Sequence, residues 1–373
     1  MEMKKLGFGA MRLPLTNPDD ATSIDMAETC RMVDAYLAAG FCYFDTAYMY
    51  HQHHSEGALK KALVERHKRD SYLLADKMPA HIMKPEETYE EIFEIQLART
   101  GVEYFDYYLL HNMGKVSYAD VQKRDGFGFL QKVKAEGKAR KIGFSFHDDA
   151  ELLDKILTEH PETEFVQLQI NYSDWESPSI QSRLCYEVAR KHGKEIIVME
   201  PVRGGSLANL PKEAEVLLQE AQPEMSIASW AIRYAASLPG VIMVLSGMSN
   251  LAQVEDNTSY MQSFAPLNEN EQGLIKRVVD ILKKSEAIPC TGCQYCEEDC
   301  PRNINISAYF SVYNAYTYRP EVGLVGMKMK YTRSAEGRGK IADCIDCKIC
   351  EGNCPQHLDI TGYFPQVAEI FES

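Results

Sequence analysis

The sequence predicts an α/β fold in two parts: an eight-stranded parallel (β/α)8 barrel of the TIM type over residues 1–286, then a small α+β module over 287–373. Two observations carry this reading. Before residue 287, short apolar runs alternate with amphipathic segments, the pattern of a parallel sheet wrapped by helices. After it, eight of the 11 cysteines fall in two copies of one spacing. A chain of 373 residues exceeds an average domain and suits a large barrel with a small appended module.

The strands are expected at Lys5–Gly9, Phe41–Asp45, Tyr72–Asp76, Tyr107–His111, Ile142–Ser145, Phe165–Ile170, Ile196–Met199 and Val241–Ser246. Between them, Ser55–Val64, Glu86–Thr100, Phe127–Glu136, Ala150–Thr158, Ile180–His192 and Ile227–Ser237 read as helices, three of them closed by Gly101, Gly137 and Gly193. Helical patterns at Leu251–Met261 and Glu269–Lys284 lead to a charged border ending in Pro289. The insert 301–343, rich in tyrosine (Tyr309, Tyr313, Tyr316, Tyr318, Tyr331), reads either as a docking segment for the tail or as a helical spacer.

A formal charge of −14 and the lack of a basic stripe argue against nucleic acid as a partner. No segment is apolar and long enough for a membrane span, and the start of the chain lacks a secretory apolar core, so a cytoplasmic location is expected. Cys30, Cys42 and Cys185 stand outside the repeated spacing and read as small buried residues of a reducing compartment.

The repeated spacing is C-x2-C-x2-C-x3-C-P: Cys290, Cys293, Cys296, Cys300 and Pro301, then Cys344, Cys347, Cys350, Cys354 and Pro355. It is similar to the run by which bacterial ferredoxins hold [4Fe–4S] clusters through thiolates. Zinc and disulfides are the competing readings. Zinc favours two separated ligand pairs, whereas three close cysteines followed by proline suit a cluster. The resemblance implies two clusters with an exchanged fourth ligand: Cys290, Cys293, Cys296 and Cys354 on one, Cys344, Cys347, Cys350 and Cys300 on the other.

In a parallel barrel the site gathers at the C-terminal strand ends. Asp45, Lys77 and His111 stand at three of them, and Tyr50 on the loop after the second strand. A tyrosine delivers a proton to a carbonyl oxygen more readily when an ammonium brings its phenol toward neutrality, and a carboxylate holds that ammonium. Asp45 is therefore expected to fix Lys77, Lys77 to lower the Tyr50 phenol, Tyr50 to donate, and His111 to orient the carbonyl. His51, His53 and His54 invite a metal reading, discounted because no fourth ligand is placed beside them.

With Phe44-Asp45-Thr46-Ala47, Tyr50, Ser55-Glu56, Ala75-Asp76-Lys77 and Leu109-Leu110-His111, the chain resembles the aldo-keto reductases, and with its tail their ferredoxin-bearing branch. Gly143-Phe144-Ser145, Gln169-Ile170-Asn171-Tyr172, Pro201 with Gly204-Gly205, and the segment from Ser246 to Asn257 extend the match over 1–285. The resemblance implies hydride transfer between a nicotinamide cofactor and a small carbonyl or alcohol. It places Ser145 and Gln169 on the carboxamide, Met199 under the nicotinamide ring, Gly204, Gly205 and Leu207 by the pyrophosphate, and Gly247, Met248, Ser249, Gln253 and Asn257 around the adenosine end.

The match departs from the family at several of these places. Phe146 replaces the usual Asn, and Met199 replaces an aromatic ring. Gly247 and Gln253 replace the Lys and Arg that hold the adenosine 2′-phosphate, which weakens NADPH and leaves NADH open. Clusters pass single electrons and hydride carries two, so a flavin is also left open. Three functions follow: a nicotinamide-dependent oxidoreductase whose clusters serve a ferredoxin or flavodoxin partner or the fold alone; a cluster-driven reductase; and an electron-transfer module with a non-catalytic barrel.

Overall fold

A computed structural model describes residues 3–18, 20–284, 287–318 and 323–373. The expected border between 286 and 287 falls at its edge, since Ser285 and Glu286 lie outside the described residues. Eight strands, β1 (Leu6–Gly9), β2 (Tyr43–Asp45), β3 (Leu73–Met78), β4 (Phe105–Met113), β5 (Ala139–Phe146), β6 (Phe165–Gln169), β7 (Glu195–Met199) and β8 (Val241–Gly247), close in sequence order into a barrel. Each pairs with its neighbours in parallel, from β1 with β2 round to β8 with β1.

Both strand faces are covered, which is why the strands read as apolar runs rather than as alternation. Inside, Tyr43, Ala75, Tyr107, Leu109, Phe165, Ile197, Met243 and Leu245 interdigitate as one packed cluster. Phe165 comes so close to β5 that a β-carbon on Gly143 would stand 2.4 Å from its carbonyl oxygen, so that strand needs glycine there. The outer helices begin at caps legible in the sequence. Asp25, Asp149 and Asn250 accept from main-chain N–H groups of the first turn, and Thr88 with Glu91 forms a capping box before Tyr89–Thr100. Helices Met26–Ala38, Lys115–Lys123 and Lys212–Ala221 were not expected from the apolar pattern.

The chain divides into two compact units, Met1–Pro201 with Ile232–Leu267, and Val202–Ala231 with Asn268–Ser373. All eight strands belong to the first. In the second, helices Ile306–Tyr318, Leu324–Ser334 and Ile360–Phe371 surround an apolar core that includes Tyr309, Phe310, Tyr313, Tyr331, Phe364 and Val367. Tyr309, Tyr313 and Tyr331 of the insert are thus core residues of the tail itself. The strand content expected of an α+β tail reduces to one isolated parallel bridge, Ile304 with Gly339, and the remainder of the described tail is helix and loop. No helix among the described residues is long and apolar enough to cross a membrane.

Candidate active site and cluster sites

Strand register brings the predicted residues to one end of the barrel. Asp45 is the last residue of β2, Lys77 the penultimate of β3, Ser145 the penultimate of β5, and Gln169, Met199 and Gly247 end β6, β7 and β8. His111 lies where the β4–β5 register shifts between Leu110 and Met113, and Asn112 there adopts φ +57. Such an irregularity re-aims a side chain at a strand end. The Asn112 N–H donates to Ser145 Oγ at 2.8 Å and so ties the irregular stretch to β5.

Lys77 Nζ donates to Asp45 Oδ1 at 2.5 Å and to the Thr46 carbonyl at 2.6 Å, with both charged side chains buried. The same ammonium stands 4.8 Å from the centre of the Tyr50 ring, and that ring meets His111 edge-on at 6.0 Å. The four residues therefore form one cluster. Burial raises the Asp45 carboxyl, against the pull of Lys77. Burial also holds His111 well below the usual imidazole range, with His81, Lys77 and His147 adding to the effect, so its ring is neutral.

The expected lowering of the Tyr50 phenol is corrected. Burial first, then the charges of Asp45, Glu200 and Asp76, push it well above the ordinary phenol range, and Arg12 opposes them only in part. The Lys77 ammonium, 4.8 Å from the ring centre, does not offset the desolvation of a phenolate.

Behind the cluster, Asp76 Oδ1 accepts the Lys77 N–H at 2.8 Å and Gln96 Nε2 donates to the Lys77 carbonyl at 3.0 Å. Both main-chain groups of Lys77 are thus pinned. Glu56, fully buried, pairs with Arg99 at 3.1 Å, and burial raises its carboxyl to about 6. The three loop histidines engage main chain: His51 bonds the Ala21 carbonyl and accepts the Leu13 N–H, His53 bonds the Tyr48 carbonyl, and His54 bonds those of His51 and Gln52. They staple a loop in which His51, His53 and the intervening Gln52 all have positive φ.

Of the residues expected at a nicotinamide, Gln169 Nε2 donates to Asp174 at 3.0 Å, and Asn171 binds the same carboxylate. Asn257 is buried and bridges Ser246 and Tyr260, tying its helix to β8. Met248 is buried, and Ser249 bonds Gln253 and the Arg12 carbonyl. Gly204, Gly205 and Leu207 fall in the second compact unit, with the cysteines. Two residues were missed by sequence reasoning. His81 sits edge-on to His111 at 5.1 Å, its imidazole lowered by burial to about 4. Arg12 runs beside Gly247, its Cδ 3.1 Å from where a side chain at 247 would begin. Neither has a periodic or spacing signal; only the closed barrel brings residues 12 and 247 together.

In the tail, one cavity is lined by Cys290, Cys293, Cys296 and Cys354, a second by Cys300, Cys344, Cys347 and Cys350. These are the two groupings of cysteines expected from the sequence. The cavities have empty volumes of about 320 and 330 Å³. In each cavity four sulfurs line one volume, which fits a cluster. Burial raises the Cys296 and Cys354 thiols and lifts Cys350 to about 11. Thiols so placed become thiolates only against strong positive charge, as cluster iron provides.

Comparison with known proteins agrees with both halves. Residues 5–280 match the model of the aldo/keto reductase family and residues 289–358 that of a 4Fe-4S dicluster domain. The chain is 25% identical over 268 residues to a 9,11-endoperoxide prostaglandin H2 reductase of Trypanosoma cruzi, covering 69% of this chain and 82% of that protein. Over 115 residues it is 27% identical to a component of the ion-translocating oxidoreductase complex of Buchnera aphidicola, covering 29% of this chain and 21% of that component. Among solved structures, an aldo-keto reductase from Bacillus halodurans in its holo form superposes with a TM-score of 0.58 at 24% identity, covering 74% of this chain and 93% of that one. One from Klebsiella pneumoniae, in complex with NADP and acetate, gives 0.59 at 19% identity, covering 74% and 92%. The structural likenesses speak to the fold.

Proposed function

Since the chain belongs to the aldo/keto reductase family and is an oxidoreductase with a 4Fe-4S domain following its barrel, we propose that Asp45, Tyr50, Lys77 and His111 reduce the carbonyl of a small molecule, or oxidise the matching alcohol. In this reading the functional border lies between residues 286 and 287. Ser145, Gln169 and Met199 would face the nicotinamide of NADH or NADPH, which supplies the hydride when bound. The two cysteine sets would hold two clusters that exchange single electrons with a ferredoxin or flavodoxin.

The observation that carries this reading is the buried Lys77–Asp45 pair beneath the Tyr50 ring, with neutral His111 on its flank. A phenol raised by burial keeps its proton at neutral pH and is a donor in waiting. Charge grows on the phenol oxygen only as the proton leaves, and there the Lys77 ammonium stabilises it; interactions that strengthen in the transition state are the ones that raise turnover. Neutral His111 orients the carbonyl oxygen by a hydrogen bond, without a competing charge. After transfer, Tyr50 regains its proton from solvent.

Arg12, whose stem runs beside Gly247, would supply the dinucleotide with a cation from outside the positions the family uses. The test is a carbonyl panel with NADH and NADPH on protein purified without oxygen. Tyr50→Phe is expected to lower reduction by about 10²–10⁴-fold with iron content unchanged, and unchanged turnover overturns the assignment. The single-electron clusters favour a second reading, in which a flavin couples them to the barrel. Bleaching of the clusters by NADH, with flavin released on denaturation, would establish it.

A further inference from the structure

Within the second compact unit the turn that follows β7 is packed against the first cysteine run. Gly204 and Gly205 have φ of +63° and +97°. A β-carbon on Gly204 would stand 1.9 Å from the carbonyl oxygen of Thr291, 2.5 Å from its carbonyl carbon and 2.7 Å from its Cα. These are main-chain atoms, which cannot swing aside as a side-chain tip does. Thr291 is 2% exposed, lies between Cys290 and Cys293, and lines the first cavity with them. Any shift of the turn therefore moves the loop that carries two of that cavity's sulfurs.

The second cavity is backed by a different segment: a β-carbon on Gly339 would stand 2.1 Å from the carbonyl oxygen of Arg302, which lines it. Its lining is Pro301, Arg302, Ile345, Lys348 and Ile349, with residues of the adjacent helices, and Cys347 is exposed. The two sites thus differ in what they lean on: the first on Gly204 of the turn after β7, the second on Gly339 between the cysteine runs.

We propose that the Arg203–Gly205 turn is a seat shared by two ligands, the cluster of the first cysteine set and the diphosphate of the nicotinamide dinucleotide, so that each tightens the binding of the other through the Gly204–Thr291 contact. This rests on the nucleotide reading above. A loaded cluster fixes the Cys290–Cys293 loop and with it the turn; a diphosphate on the turn fixes the loop in return. Binding linkage is reciprocal, and couplings of this kind span roughly 5–150-fold.

The experiment uses the oxygen-free holoprotein, an iron chelator, and ADP-ribose as the probe. ADP-ribose carries the diphosphate and no nicotinamide, so it cannot reduce a cluster. With ADP-ribose at saturation, half of the iron is expected to leave about 5-fold more slowly or better and the other half at its original rate. Binding by calorimetry without selective protection overturns the coupling alone. Failure of ADP-ribose to bind overturns the nucleotide reading and the coupling with it. Gly204→Ala is expected to lose half of the iron and to weaken ADP-ribose binding together. Gly337→Ala, also at positive φ in this unit but with open space around its β-carbon, reports backbone strain alone and is expected to do neither. A Gly204→Ala protein with full iron and unchanged ADP-ribose affinity overturns the proposal.

Discussion

In the barrel, Asp45 and Lys77 stand on strands whose register is set by main-chain pairing and are joined by an ion pair, and His111 follows the paired part of β4. In the tail, the eight cysteines stand on loops, turns or the four-residue helix Ile349–Gly352. The barrel site is held by a large core that exists whatever binds there. The tail surrounds its two cavities with a small core and with buried thiols whose ordinary state is protonated. One site is preorganised by the fold, while the other is completed by what it holds.

That contrast can be broken most decisively at Cys296. Cys296→Ala removes a buried cysteine of the first cavity, and loss of half of the iron and sulfide is expected, with lower tail cooperativity in a chemical melt. The barrel transition should stay where it was; a barrel that melts with the tail would show that it too depends on the cluster.

Lys77→Met tests the other side. It leaves the Asp45 carboxyl buried without its partner, which costs about 3–5 kcal/mol. The barrel transition should fall by that order and carbonyl reduction with it, while iron content holds. Iron loss in this variant would contradict the division.

A third test is pH. His81 is held near 4 against an ordinary value of 6.5, so the folded barrel binds fewer protons than the unfolded chain between those values. Its contribution is present above 6.5 and is lost as pH falls toward 4, about 3 kcal/mol at most. Glu56, raised from 4.5 to about 6, acts oppositely: stability present below 4.5 is lost as pH rises through 6, about 2 kcal/mol. Urea melts from pH 4 to 7 should therefore steepen with pH in Glu56→Gln and flatten in His81→Gln.

The smallest effect is expected at Arg12. Arg12→Gln should weaken NADH and NADPH alike by a few-fold, on the order of 1 kcal/mol for a half-buried charged contact. A loss confined to NADPH, read from the ratio of the two dissociation constants, would place Arg12 at the 2′-phosphate.

The strand order, the tetrad and the two cysteine sets were legible in the sequence because each leaves a local mark. Strands buried on both faces are apolar runs, the four polar residues that cluster follow those runs, and the cysteines recur at fixed offsets. Helix Lys212–Ala221 was missed because turn residues crowd its start, whereas helices Ile306–Tyr318 and Leu324–Ser334 fall in the insert for which the sequence left a helical spacer open.

The sequence by itself determined the barrel, the cluster spacing and the chemistry available at the strand ends, since all three rest on periodicity or spacing along the chain. Only the tertiary structure decided that the Tyr50 phenol is raised rather than lowered, that Arg12 lies beside Gly247, and that residues 202–231 group with the tail. Desolvation depends on every atom packed around a group, and barrel closure joins residues far apart in the chain. Neither leaves a local pattern to read.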